Sequence, residues 1–99
     1  MRIITYAFTL ILLDLSENFG VKDRRGTRLT VLARHKDLAD LLGASRPRVT
    51  EFLIRFEQED FISRDGRYLI VRRDRLERFL AQTHSRAPAA KETLLSLEA

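Results

Sequence analysis

Between His35 and Arg55, small, apolar and helix-ending residues fall at a spacing that few folds satisfy. Leu38, Leu41 and Leu42 recur at three- and four-residue intervals and mark the apolar side of one short helix. Ala39 within it is small enough for a second helix to cross close by. Gly43 follows, where a helix ends and φ often turns positive. Ser45 suits the cap of a new helix, because its hydroxyl accepts a backbone N–H of the first turn. Pro47 lies inside that turn, where a missing N–H costs no helical bond. Val49, Phe52, Leu53 and Phe56 then form one apolar stripe. Pro47, Thr50, Glu51 and Ile54 lie opposite it, flanked by Arg46 and Arg48. Two short helices crossed in this way make a helix-turn-helix. Its use in small proteins is to push the free face of the second helix into a DNA major groove.

Composition narrows the class further. The chain has 99 residues, enough for one small domain, and 44% of them are hydrophobic, enough for a core. Its net charge of +4 comes almost wholly from arginine, which favours bidentate contacts to phosphate and guanine. There is no cysteine, which excludes a disulfide scaffold, a thiolate zinc site and a cysteine nucleophile. His35 and His84 are far apart and have no matching carboxylate cluster, so neither a metal nor another cofactor is expected. No motif proposes a nucleophile with its base or a carboxylate pair, so the chain does not read as an enzyme.

The N-terminal run Ile3 to Leu13 resembles a signal peptide only superficially. Asp14, Ser16, Glu17 and Asn18 stand where small cleavage-site residues belong, and a bilayer span needs ~20 apolar residues. The expectation is a cytoplasmic protein with no membrane segment. The run instead opens a helix from about Arg2 to Phe19, ended at Gly20. Ile4, Phe8, Ile11, Leu12 and Leu15 supply its core stripe. Ile3, Tyr6, Leu10 and Leu13 make its other faces apolar as well. Such a helix is either the centre of a small core or has a second partner.

Val21 to Thr27 reads as a charged, glycine-containing turn. Leu29, Val31 and Ala33 alternate with Arg28, Thr30 and Leu32, which predicts a short strand. The second motif helix covers about 45–58. Beyond it, Phe61 to Arg64 and Arg67 to Val71 flank Asp65-Gly66, a strong signal for a tight hairpin. Asp74 suits the cap of a last helix, Arg75 to about Gln82, with Leu76, Phe79 and Leu80 on one side. Residues 1–83 therefore read as one domain. Residues 84–99 read as a linker with a short terminal helix over Lys91 to Leu97, marginal by itself.

The order helix, short strand, helix-turn-helix, two-stranded wing hairpin and C-terminal helix is that of an α+β winged helix. The stretch Leu38-Ala39-Asp40-Leu41-Leu42-Gly43-Ala44-Ser45-Arg46, followed by Val49-Thr50 and by Phe61-Ile62-Ser63-Arg64-Asp65-Gly66-Arg67, resembles the C-terminal DNA-binding domain of the Crp/Fnr superfamily. These are bacterial transcription regulators that respond to cyclic nucleotides or redox state. Leu12-Leu13-Asp14-Leu15 through Phe19-Gly20 is similar to that domain's first helix, and the resemblance covers roughly residues 10 to 80. It implies binding to double-stranded DNA and regulation of transcription. The family's N-terminal β-roll sensor and long dimerisation helix do not fit within this chain, which reads as lacking the effector pocket or as part of a longer regulator. Arg46 matches the family's first base-reading arginine. Pro47 stands in place of a frequent base-reading glutamate, Glu51 in place of a second base-reading arginine, and Arg34 where threonine is frequent. The family's best-known operator is therefore not expected here.

The phosphate-binding candidates are Arg34, His35 and Lys36 at the front of the first motif helix, Ser45 with the free N–H groups beside it, and Arg64 and Arg67 in the wing of about residues 61–71. For each arginine the competing role is a solvated surface charge. The base-reading candidates are Arg46, Pro47, Arg48, Thr50 and Glu51. Arg46 suits a fork onto guanine O6 and N7. Glu51 suits cytosine N4, or else holds Arg48 or Arg55. Thr50 suits a thymine methyl or a phosphate, and Pro47 a thymine methyl. Half-site spacing of ~34 Å favours a homodimer, and the apolar N-terminal helix is the candidate surface for a second copy or for a missing sensor domain. RNA polymerase is a further candidate partner. The alternative function is a winged helix that binds protein rather than DNA, supported by that apolar helix, by Ile54, and by Glu51, Glu57, Glu59 and Asp60.

Overall fold

The apolar stripe at the start of the chain folds into α1 (Ile3–Phe19) in the computed structural model, which describes residues 3–86. Phe8 and Leu12 are fully buried, and Ile4, Ile11, Leu13 and Leu15 pack partly buried around them. Leu13, expected on an outer face, thus joins the core. Ile3 and Leu10 are exposed, at 76% and 42%, as is Phe19 at the end of the helix. Two buried hydroxyls on this helix bond to its own carbonyls: Thr9 Oγ1 donates to Thr5 O at 2.9 Å, and Ser16 Oγ to Leu13 O at 2.8 Å. Neither is left without a partner in the apolar interior.

The chain after α1 departs from the sequence reading. Gly20 does not merely end the helix; it begins β1 (Gly20–Asp23), which turns at Arg24-Arg25 into β2 (Gly26–Leu29). The stretch read as a turn is therefore a hairpin, and the strand expected over Arg28 to Ala33 instead ends at Leu29. Thr30 closes it: its N–H and its Oγ1 both donate to Phe19 O, at 2.7 and 2.8 Å. Leu29 is fully buried, whereas Val31, Leu32 and Ala33 are half-buried in the connection to the next helix. The alternation there corresponds neither to strand pairing nor to alternating burial.

The helix-turn-helix follows as expected. In α2 (His35–Leu42), Leu38 and Ala39 are buried, and Gly43 caps the helix in the left-handed region at φ 65°. In α3 (Arg46–Gln58), Ser45 is the N-cap, with Arg48 N–H donating to its Oγ at 3.4 Å, and Pro47 sits in the first turn. Val49, Phe52, Leu53 and Phe56 are all buried. The rings of Phe52 and Phe56 lie 5.6 and 5.1 Å from that of Phe8, so one α1 side chain fixes the seating of α3.

β3 (Ile62–Asp65) and β4 (Tyr68–Val71) form the wing. Asp65 pairs with Tyr68, so the two turn residues are Gly66 and Arg67, one position later than the Asp65-Gly66 turn read from sequence. Gly66 has φ 62°, and Arg67 is not among the positive-φ residues. A turn with positive φ only at its first central position asks for glycine there. The strands make one antiparallel sheet in the order β1-β2-β4-β3, with Thr27 opposite Val71 and Arg28 opposite Ile70. At Gly26, with φ 145°, a Cβ would lie 2.7 Å from Val71 O, so β2 meets β4 there only because the residue is glycine.

α4 (Arg73–Arg86) starts earlier and ends later than the expected Arg75 to Gln82. The N–H groups of Arg75 and Leu76 donate to Arg72 O, so Asp74 lies within the first turn rather than at the cap, still near the positive end of the helix dipole. Leu76 is fully buried, and the Phe79 ring lies 5.1 Å from that of Phe61. Residues 84–86 continue the helix; the expected helix over Lys91 to Leu97 lies outside the described residues.

Candidate nucleic-acid interface

The loop before α2 and the wing face each other across an open cleft of about 340 Å³. Its rim carries Arg34 and His35 from the start of α2, and Arg64 and Arg67 from the wing, over a floor that includes Ala33, Leu53 and Leu69. Four of the six phosphate-binding candidates are thereby brought together, although about thirty residues separate the two pairs in sequence. Lys36 and Ser45 are not part of this cleft. Lys36 is exposed in the first turn of α2, and Ser45 is exposed at the N-terminus of α3.

The four rim residues are not equivalent. Arg64 Nε lies 3.6 Å from Glu57 Oε2, a solvent-exposed pair between the wing and the end of α3. Among the described residues Arg67 and Arg34 make no ion pair, so both are free to meet an anion. His35 is half-buried, and its Nδ1 lies 2.8 Å from Thr50 Oγ1. The Thr50 hydroxyl also donates to Arg46 O at 3.1 Å. A hydroxyl carries one proton. With that proton on Arg46 O, Nδ1 is the donor to Thr50, and Nε2 becomes a donor only in the imidazolium form.

The base-reading candidates all lie in the first two turns of α3. Arg46, Pro47, Arg48 and Glu51 are exposed, whereas Thr50 is half-buried with its hydroxyl held by His35 and by the helix backbone. Glu51 forms no ion pair among the described residues, so it does not hold Arg48 or Arg55. One turn beyond it, Ile54 is 49% exposed, a large apolar residue on the same outward face.

Contacts between the two hairpins are not legible in the sequence. Arg25 Nε donates to Asp23 Oδ1 at 2.9 Å, and Arg25 Nη2 reaches Asp65 Oδ2 at 3.2 Å, tying the β1–β2 turn to the wing. The Arg25 hydrogen bond holds the Asp23 carboxyl at about 2, below its ordinary 3.8. Arg28 lies 5.5 Å above the ring of Tyr68, another residue of the cleft. The Arg25–Asp65 and Arg28–Tyr68 pairs each link the first hairpin to the wing forty residues later, and no local pattern announces them.

Helix pair, wing and four-stranded sheet define a winged helix-turn-helix domain. The chain belongs to the Crp-like helix-turn-helix domain family, which matches residues 9–79. Similar solved structures include a mutant of CooA from Carboxydothermus hydrogenoformans, at 21% identity and TM-score 0.71, covering 80% of this chain and 37% of that one. TTHB099, a CRP-family transcriptional regulator from Thermus thermophilus, matches at 25% identity and TM-score 0.65, over 79% of this chain and 40% of that one. Oxidized CprK in complex with o-chlorophenolacetic acid matches at 16% identity and TM-score 0.67, over 76% and 32%. This chain thus aligns with between 32% and 40% of the length of these three structures. No curated protein matches it. Among the described residues no helix is long and apolar enough to cross a membrane.

Proposed function

We propose that this chain binds double-stranded DNA as the reading module of a transcription regulator. In this reading α3 enters the major groove while the wing and the start of α2 grip the adjacent backbone. The observation that carries it is the cleft in which Arg34, His35, Arg64 and Arg67 meet, between the start of α2 and the wing. Cations on two separate elements suit a duplex whose phosphates flank an open groove. Membership of the Crp-like family supports the same conclusion. Phosphates fall to Arg34, His35, Lys36, Ser45, Arg64 and Arg67, and bases to Arg46, Pro47, Arg48, Thr50 and Glu51.

One recognition helix covers only a few base pairs, so the module acts as one half of a pair. The exposed Ile3 and Leu10 on α1 are the surface for a second copy or for a sensor domain. RNA polymerase is the partner through which such a regulator would act. The test is retention on a random-sequence duplex as salt is raised. Binding that falls steeply with salt supports the reading. Leu41 and Ile54, exposed at 62% and 49%, favour a second reading as a protein-binding module. Salt-insensitive binding to a protein, with no retention on DNA, would establish that one instead.

A further inference from the structure

The outward face of α3 is chemically unusual for a surface meant to meet a polyanion. Its centre is Pro47, Glu51 and Ile54, all exposed, while Val49, Phe52, Leu53 and Phe56 occupy the buried side. Cations stand only at its edges, in Arg46, Arg48 and Arg55. Thr50, the one other polar candidate near the centre, has its hydroxyl engaged by His35 Nδ1 and Arg46 O. The centre therefore offers two apolar surfaces and one carboxylate that no cation of the described residues neutralises.

Each of these has few complements in a major groove. The apolar group on a base edge there is the thymine C5 methyl. A carboxylate only accepts hydrogen bonds, and the donors on base edges are cytosine N4 and adenine N6. Guanine presents O6 and N7 and thymine presents O4, all acceptors that repel a carboxylate. Adenine carries an acceptor N7 beside its donor, whereas cytosine presents its amino group without one, so cytosine is the better match. Seven residues of helix separate Pro47 from Ile54, ~10 Å of rise, which is roughly three base-pair steps. Glu51 falls between them.

The geometry points to a half-site in which thymine methyl groups flank a cytosine within about four base pairs, discriminated by Pro47, Glu51 and Ile54. This inference rests on the DNA-binding reading above and adds what is read. Thymine methyl burial supplies affinity at the two apolar ends, and Glu51 excludes guanine between them. The edge arginines reach phosphates or the purines of the opposite strand.

The experiment is selection of bound duplexes from a random pool with the 99-residue chain. Anisotropy titrations of the enriched duplex and of the same duplex with deoxyuridine for thymidine follow. Deoxyuridine removes only the methyl groups. The enriched sequences are expected to carry the thymine-flanked cytosine, and each methyl removed weakens binding ~4-fold, the worth of one buried carbon. Ile54→Ala should halve the number of methyls that matter. Glu51→Gln should shift the central preference from cytosine to adenine, since an amide pairs with adenine N6 and N7. Thermal melts of both variants, substituted at exposed positions, check that the fold is kept. An enriched site insensitive to deoxyuridine, or one with guanine opposite Glu51, overturns the proposal. Salt-dependent binding to all sequences alike overturns it too, but leaves the DNA-binding reading standing. Absence of retention on any duplex removes both.

Discussion

The two wing arginines should differ in what they contribute to a salt-dependent affinity, and the structure says which is larger. Each phosphate neutralised by the protein contributes about −0.9 to the slope of log K against log salt. Between 50 and 200 mM salt, a fourfold range, that single contact accounts for a ~3.5-fold loss of affinity. Arg67 sits at the tip of the wing with no ion pair among the described residues, so Arg67→Ala should flatten the slope by nearly the full ~0.9. Arg64 already has Glu57 at 3.6 Å. To serve a phosphate it must share or leave that carboxylate, and the carboxylate itself repels the backbone. Arg64→Ala should therefore flatten the slope by less. Glu57→Gln should raise affinity at low salt, by freeing Arg64 and removing a negative charge. The assay is fluorescence anisotropy on a short random duplex across that salt range, with a thermal melt of each variant. An unchanged slope for Arg67→Ala would refute a wing contact with the backbone. A larger effect for Arg64→Ala than for Arg67→Ala would refute the argument from the ion pair.

Stability responds to other positions. Phe8→Ala removes a fully buried ring packed against both Phe52 and Phe56; urea unfolding should show a loss of ~3–5 kcal/mol, and a loss under about 1 would mean that α1 does not fix α3. Gly26 and Gly66 both have positive φ, but an added Cβ meets Val71 O at 2.7 Å only at Gly26. Gly66→Ala should cost ~1–2 kcal/mol from backbone conformation, and Gly26→Ala clearly more; equal melting shifts would contradict the close approach of β2 to β4. Asp23 has its folded-state carboxyl lowered from 3.8 to about 2 by its Arg25 hydrogen bond. Its contribution is thus present above pH 3.8 and is lost as pH falls toward about 2. Asp23→Asn should flatten the acid limb of the stability curve in that window, and an acid limb identical to the parent's would remove Asp23 from the linkage.

What the sequence discloses follows from how local each signal is. Gly43, Ser45 and Pro47 report their own backbone requirements, so α2 and α3 are legible with their boundary. The buried stripe of α3 repeats with the helical period and needs no tertiary knowledge. β1 escapes a reading by pattern because it is an edge strand of four residues in which Val21 and Lys22 are both exposed, leaving no alternation to see. Val31 and Ala33 give alternation in sequence without pairing, because the loop that carries them half-buries Val31, Leu32 and Ala33 alike. The hairpin turn lies one residue later than Asp-Gly suggests because that pair fits a turn with two positive φ values, whereas here only Gly66 has one. The cleft and the His35–Thr50 contact depend on elements that meet only after folding. Composition points to the arginines but not to a paired Arg64 beside a free Arg67.

The division of labour within α3 explains how one scaffold can read different sequences. Its seating is decided by Val49, Phe52, Leu53 and Phe56, packed on Phe8 and the core beneath. Its start is decided by Ser45 and Gly43, and its tie to α2 by His35 and Thr50. None of these residues lies at the centre of the outward face. Pro47, Glu51 and Ile54 are consequently free to change at little cost in stability, since exposed substitutions away from caps and buried contacts usually fall within about 0.5 kcal/mol. Pro47 is the partial exception, because its fixed φ suits the first turn it occupies. Thr50 is different in kind: half-buried and doubly bonded, it couples the reading helix to α2, so its replacement should disturb the pose of α3 as well as any contact it makes. Substitutions at Glu51 and Ile54 should therefore alter which sequence is bound while leaving the salt slope intact. Substitutions at His35 should weaken binding to every sequence, and those at Thr50 should add to that loss a change at any base it reads.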